Sequence, residues 1–367
     1  MRHWIRSCNS NHDGGTDGDR MRQLATKRVV RELVPIAGAD RIELARIDGW
    51  QCVVKKGDFA VGDTGVYLEI DSMLPTSDAR FAFLAKGKVA PFARIKTIRL
   101  KGTLSQGLLI PANTLTPSEE TRVAAGEELT AVLGVEKYEP PLPMGGKQAG
   151  TFPSHRVPKT DQERIQNIPD AVLGKSFLDF EVTEKLDGTS CTVYSYQFEG
   201  LINPDGSENS GTGPHTYVGV CSRNWEMQKE DGNVYSKTLR DTNLVDKLCA
   251  LRRNIAIQGE IIGPGIQGNK YGLAAQAFFV FDIYDIDEKK YLGASERFEL
   301  AYELGLNHVP TLVWNQDTPM NLESILAIAD GASALKGDAM REGLVFKALD
   351  GSFSFKAISN EWLLKHE

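Results

Sequence analysis

The sequence predicts an α+β protein in two units, the first built almost wholly of β-strands and the second of strands and helices together. Three observations predict this. From about residue 22 to 135, short strand-like runs follow one another at close spacing, with turns between them that carry Gly and Asp. From about 136 to 170 the chain turns rich in Pro and Gly, as in Tyr138-Glu139-Pro140-Pro141-Leu142-Pro143-Met144-Gly145-Gly146, and reads as a linker. From about 171 to 367, apolar β-type runs alternate with segments of helical period.

Length and composition allow both units to be ordinary globular domains. The 367 residues can bury two separate cores, and a charged fraction of 25% beside an apolar fraction of 41% is usual for a folded chain. No apolar run reaches bilayer length and no signal core opens the chain, so a cytoplasmic protein without membrane contact is expected. The five cysteines are scattered and form no C-x-x-C pair, which argues for buried reduced thiols and against a disulfide or zinc framework. The net charge of -7 argues against a chain coated in basic charge for nucleic acid. A local basic stretch is nevertheless present, with Lys55, Lys56, Lys86, Lys88, Arg94, Lys96, Arg99 and Lys101, and it can serve phosphate contacts.

Residues 1–21 are polar and aperiodic, and are expected to be a disordered leader or to follow from a start assigned too far upstream. The run after them, RQLATKRVV, already has structured character. Strands are predicted at Arg28–Val34, Arg41–Ile47, Gln51–Val54, Gly65–Ile70, Ala93–Leu100 and Gly107–Pro111. Strands so spaced suit a small closed barrel of the oligonucleotide-binding (OB) type, and GADRIELARIDGW leading to KKGDFAVGD resembles OB modules that bind structured RNA. Trp50, Phe59, Phe81, Phe83 and Phe92 are the candidates to stack bases, one or two of them at most, the others being core.

In the second unit, strands are predicted at Phe177–Thr183, Cys191–Phe198, Tyr217–Cys221, Asn254–Ile262, Ala277–Tyr284, Gly343–Ala348 and Ser352–Ile358. Helices are predicted at Asn243–Arg252, Ser295–Leu304 and Leu322–Ala329, the last two opened by Ser295 and Asn321 as caps. Two antiparallel sheets with flanking helices accommodate these elements.

The chemistry centres on EVTEKLDGTS, Glu181 to Ser190. A strand delivers Lys185 to a turn with Asp187 and Gly188, where a lysine amine can attack a nucleotide α-phosphate while the Gly turn lets backbone come close. The product would be lysyl-AMP or lysyl-GMP. Five later stretches sit at or near predicted strand ends: Ser222-Arg223-Asn224, Gln258 to Gly263 (QGEIIG), Phe278 to Tyr284 (FFVFDIY), Arg341 to Phe346 (REGLVF) and Ser354-Phe355-Lys356. The run Gly263 to Lys270 only approximates a P-loop, because Asn269 stands where its lysine belongs and no Ser or Thr follows Lys270.

In order and residue type these stretches resemble the motifs of ATP-dependent polynucleotide ligases and mRNA-capping enzymes. With the OB-like unit in front, residues 22–367 resemble the Deinococcus-type RNA ligases. The chain stops eleven residues after Lys356, which leaves no room for the C-terminal OB domain of most DNA ligases and capping enzymes. The resemblance implies an OB-like β-barrel at 22–135, a linker at 136–170 and a nucleotidyltransferase (ATP-grasp-like ligase) domain at 171–367. It implies Lys185 as nucleophile, Glu342 as the carboxylate that orients it and holds Mg²⁺ or Mn²⁺, and Lys356 as the α-phosphate ligand. Glu260 and Arg223 fall to the ribose, Arg223 also to the incoming 5′-phosphate, and Phe281, or else Phe279, to the adenine face. Lys356 and the metal would lower the proton affinity of Lys185.

Two positions depart from the family. Ser354 stands where a second lysine is common, with Lys347 a candidate to replace its charge, and Ser190 stands where some RNA ligases use Asn at a nick. The implied activity is ATP-dependent joining of RNA 3′-OH and 5′-phosphate ends through lysyl-AMP, on RNA ends or a nicked duplex with an RNA 3′-OH, with no protein partner. A GTP-dependent guanylyltransferase and a non-catalytic RNA-binding protein are the alternatives.

Overall fold

The computed structural model describes residues 23–85, 90–139, 146–199, 214–229, 232–314 and 317–366. The leader 1–21, Lys86, Lys88 and the run 140–145 lie outside the described residues.

The first unit wraps four small sheets around one core. Thr64–Leu68 lies between Ala25–Val29 and Leu108–Pro111, and Glu32–Pro35, Ile42–Ile47 and Trp50–Lys55 form an antiparallel meander. Ser72–Pro75 lies between Phe92–Arg94 and Glu136–Lys137, and Thr97–Leu100 pairs with Thr103–Gln106 as a hairpin. The predicted strand Ala93–Leu100 is thus two strands belonging to different sheets, and Ser72–Pro75 and Thr103–Gln106 escaped prediction. Trp50, Tyr67, Leu68, Ile70, Leu74 and Phe81 fill the core. Of the candidate base-stacking rings, Trp50, Phe59 and Phe81 are therefore core, and Phe83 is exposed.

The second unit is two sheets with helices. The larger runs Gln148–Thr151, Trp225–Met227, Pro214–Cys221, Thr189–Glu199, Ile255–Ile262, Ala277–Asp285 and Lys290–Tyr291 in spatial order, with Asn307–His308 added parallel to Ala277–Asp285. The smaller runs Glu163–Arg164, Ser354–Ile358, Gly343–Ala348, Phe180–Lys185 and Thr311–Leu312. Helices Val234–Thr242, Leu244–Leu251 and Ala294–Glu303 cover one face of the larger sheet through Leu239, Leu248 and Leu300.

Local chemistry shifts several predicted boundaries. Phe177–Asp179 is a short 3-10 turn fixed by a reciprocal Ser176–Asp179 capping box, so the lysine strand begins at Phe180 and ends at Lys185. Asn321 does cap helix Leu322–Ala329, but Ser295 lies inside the helix Ala294–Glu303, whose N-cap is Gly293. Among the described cysteines Cys52, Cys191 and Cys221 are buried thiols, whereas Cys249 is exposed.

The Pro/Gly-rich stretch does more than connect. Gln148–Thr151 extends the larger sheet, Phe152 and Val157 pack on Tyr194 and Tyr196, and Glu163–Arg164 pairs parallel to Phe355 and Lys356. It also fastens the two units together. Asn167 Oδ1 accepts from Trp50 Nε1 at 2.6 Å while its Nδ2 donates to Glu69 at 3.2 Å. The buried Arg164 guanidinium lies 3.5 Å from Glu69 and 3.2 Å from Asp71. Ile358 and Leu363, from the end of the chain, join the core of the first unit.

Candidate active site

The site lies between the two sheets. Lys185, the last residue of its strand, stands opposite Gly343 in antiparallel register, and the neighbouring Glu342 turns its carboxylate to the lysine. Lys185 Nζ is 2.7 Å from both Glu342 oxygens. Glycine is required at 343, because a Cβ there would stand 2.2 Å from the Ala357 carbonyl oxygen on the next strand. Gly188 likewise lets the turn after Lys185 press on the larger sheet, where a Cβ would meet the Ile261 carbonyl at 2.3 Å.

The turn is held from the far side. The Asp187 N–H donates to Tyr271 Oη at 2.8 Å, and the Asp187 carboxylate pairs with Lys270. Both partners come from the glycine-bearing loop that imperfectly matches a P-loop. Lys270 also lies over the Trp362 ring at 4.5 Å. Asp187 was visible in the K-x-D-G pattern, but nothing in the sequence pointed to Lys270 and Tyr271 as its supports.

Glu260 enters from the larger sheet, opposite Ser190 on one side and Phe279 on the other. Burial pushes its carboxyl up to about 8, Lys185 opposes the shift, and Glu342 and Asp187 add to it. Glu260 also acts on Lys185. Burial favours its neutral amine, but Glu342 and Glu260 outweigh burial and hold the ammonium above the ordinary lysine value.

Lys356 lies on the strand beside Gly343–Ala348, opposite Val345, two residues along from Gly343. Its Nζ donates to Asp161 at 2.9 Å, and the same carboxylate receives Arg223 at 2.7 Å. Arg223 itself is exposed and sits in the turn leading to Trp225–Met227. Phe281 is half-buried against Leu186, Tyr271 and Phe279, so an apolar wall lies next to the lysine turn, while Phe279 is the more deeply buried ring. Lys347 is not brought into this group. It lies four residues beyond Gly343 and donates to Asp282 at 2.6 Å and to the Phe281 carbonyl at 2.7 Å.

Among the described residues no cluster of three His, Cys, Asp or Glu side chains makes a protein-only metal cage. The donors present fit a hard cation of the Mg²⁺ type, which takes one or two carboxylates and completes its shell with phosphate and water. Glu342 is in direct contact with the lysine, and the charges of Glu260 and Asp187 also act on it.

Fold and site together define a class: a lysine-nucleophile nucleotidyltransferase domain carried behind an OB-type module. The comparisons agree. A family model described as an OB-fold domain matches residues 24–112, and one described as RNA ligase matches residues 178–358. None of the curated protein sequences matches the chain. Among solved structures, Naegleria gruberi RNA ligase with pyrophosphate is 42% identical at a TM-score of 0.79, covering 94% of this chain and 99% of that one. A mutant of that ligase with ATP and manganese, and another with AMP and manganese, match with the same identity, coverage and TM-score. The chain belongs to the RNA ligase family.

Proposed function

We propose that the protein is an ATP-dependent RNA ligase that joins 3′-OH and 5′-phosphate ends through a lysyl-AMP intermediate. The observation that carries the reading is Lys185 held by Glu342 at the mouth between the two sheets, with Glu260 across from it and Lys356 two residues along the neighbouring strand. Lys185 Nζ attacks the α-phosphorus of ATP, a P–N bond forms, and the P–O bond to pyrophosphate breaks. AMP then passes to an RNA 5′-phosphate, and the 3′-OH attacks that phosphate and expels AMP.

Lys356 stabilises charge on the α-phosphate, and Arg223 serves the ribose and the incoming 5′-phosphate, for which a guanidinium fork is well suited. Glu260 accepts from a ribose hydroxyl, and Phe281 lines the base side of the pocket. Glu342 would hold a divalent cation, whose positive charge would offset the carboxylate and ease loss of the Lys185 proton. Lys347 is left out of this set, since its charge is matched by Asp282.

For the substrate we propose a nick in duplex RNA, or an RNA 3′-OH facing a 5′-phosphate in a duplex. What supports this is a basic strip on the OB-type unit, where Lys55, Lys56, Lys96, Arg99 and Lys101 are exposed. Arg94 is excluded from the strip, because it pairs with Asp71 at 2.6 Å and stacks on Tyr138. No helix among the described residues is long and apolar enough to cross a membrane, and the buried thiols suit a reducing, cytoplasmic compartment.

The test is incubation with α-labelled ATP or GTP and Mg²⁺ or Mn²⁺, followed by denaturing electrophoresis and peptide mapping. Label from ATP on Lys185, absent in Lys185→Ala, is the expected result. Label from GTP alone would make the protein a guanylyltransferase, and no label from either would leave an RNA-binding protein.

A further inference from the structure

Asp161 joins three cations that belong to three different sheets. Its Oδ1 accepts from Lys356 Nζ at 2.9 Å, and its Oδ2 lies 2.7 Å from Arg223 Nη2 and 3.0 Å from Lys137 Nζ. Lys356 comes from the smaller sheet of the second unit, Arg223 from a turn of the larger sheet, and Lys137 from the strand paired with Ser72–Pro75. Glu139, 3.7 Å from Lys137, is a second carboxylate at this edge, so Lys356 and Arg223 lean chiefly on Asp161, and a group with more negative charge than a carboxylate would satisfy them better. Residues 158–162 have no regular secondary structure, while both flanks are fixed. On one side the Pro158 carbonyl accepts from Gln258 Nε2 at 2.8 Å, and on the other Glu163 and Arg164 pair with Phe355 and Lys356.

We propose that Asp161 is an internal anion that occupies the phosphate-binding cations of the nucleotide-free site and competes with the incoming nucleotide for them. The inference rests on the reading of Lys356 as the α-phosphate ligand. When ATP binds, its α-phosphate oxygens take Lys356 and its ribose takes Arg223 from Asp161, whose side chain swings toward solvent. Until then the carboxylate keeps three like charges together, which would otherwise repel one another and spread. Burial favours the neutral acid, yet Lys356, Arg223 and Lys137 outweigh it and keep the carboxyl far below the usual carboxylate range, so the competitor is charged throughout the working pH range. The arrangement trades nucleotide affinity for a site that is already assembled.

Calorimetric titration of Lys185→Ala protein with ATP and Mg²⁺ tests this, because that background binds without turnover. Adding Asp161→Asn, which keeps the shape and removes the charge, should tighten ATP binding about three- to tenfold, the scale of one charge-assisted hydrogen bond released from competition. Adenosine, which can draw Arg223 to its ribose but offers no phosphate to Lys356, should gain clearly less than ATP. Asp161→Ser is a second neutral variant with the same expectation, and Asp161→Glu, which retains the charge, should stay near the parent. ATP affinity that is unchanged or weaker in both neutral variants overturns the proposal. So does an equal shift for adenosine, which would mark a purely structural residue. If the parent itself binds no ATP, the ligase reading falls and takes this inference with it.

Discussion

Lys185 Nζ lies 2.7 Å from both carboxylate oxygens of Glu342, and the strand register that sets Lys185 opposite Gly343 is what puts the two together. On the proposed reading of Lys185 as nucleophile this contact works against the reaction in the ligand-free protein, since Glu342 stabilises the ammonium that must lose its proton before attack. On the proposed reading Glu342 has two duties, holding the nucleophile in place and then letting it go as the carboxylate engages a cation. Glu342→Gln keeps the shape and loses both. Lysyl-AMP formation, followed by intact-protein mass in a single turnover, should slow by about 10²–10³-fold, the range seen when one electrostatic group of a site is removed. A rate within a few-fold of the parent would show that Glu342 only packs beside the lysine.

Glu260 gives a signature in stability. Its carboxyl is pushed up to about 8 in the folded protein, chiefly by burial, whereas an unfolded chain releases that proton near the ordinary value of 4.5. Between those two values the folded state holds the proton and the unfolded state does not, so stability falls as pH rises, by about 1.4 kcal/mol per pH unit at most from this group. The fall is complete above pH 8. Glu260→Gln has no proton to lose and should lack that slope. Urea midpoints at pH 6, 7 and 8 should therefore diverge, with the variant gaining on the parent as pH rises. Parallel curves would place Glu260 in a wetter setting than its surroundings indicate.

The strand pattern and the chemical residues were legible because both are local. Alternation marked the Gly343–Ala348 strand to the residue, and the lysine followed by a Gly turn lies, as read from the sequence, at the end of a strand. What escaped was whatever depends on partners distant in sequence. Asp161 sits in a stretch that composition reads as linker, and only pairing of Glu163–Arg164 with Phe355 and Lys356 brings it to the cations. Lys347 was a candidate to replace the charge missing at Ser354, but its pairing with Asp282, on a strand distant in sequence, could not be read in advance. Trp50 had the composition of a base-stacking ring, and its burial beside Tyr67 with its N–H on Asn167 makes it core.

Arg164 is where the stretch before the lysine strand locks to the OB-type unit. Its side chain is 5% exposed and Glu69, its partner, 2%, so neither charge has water to fall back on. Truncating one member of such a pair leaves the other buried and uncompensated, a loss of about 3–5 kcal/mol. Asn167 still donates to Glu69, which places Arg164→Met at the lower end, about 3 kcal/mol. Urea denaturation reads this directly. A loss below about 1 kcal/mol would mean that the Asn167–Trp50 contact and the packing of Ile358 and Leu363 hold the units together without this pair.

Lys347 and Lys356 separate structural from chemical positive charge on neighbouring strands. Lys347 donates to Asp282 and to the Phe281 carbonyl, so removing it should loosen the strand that carries Phe281 without taking charge from the phosphate site. Asp282 would not be left alone, because Arg297 Nη1 stands 3.9 Å away. Lys347→Met should therefore cost about 1–3 kcal/mol of stability, the scale of an unmet buried polar group, while single-turnover lysyl-AMP formation at saturating ATP stays within about threefold of the parent. Lys356→Met should show the reverse, with a small change in stability and a rate lower by about 10²-fold or more, as expected where a cation meets charge developing on the α-phosphate. If Lys347→Met instead lost rate as Lys356→Met does while keeping its stability, Lys347 would have to leave Asp282 and reach the phosphate when ATP is bound, and the second lysine common in the family would be supplied from this strand.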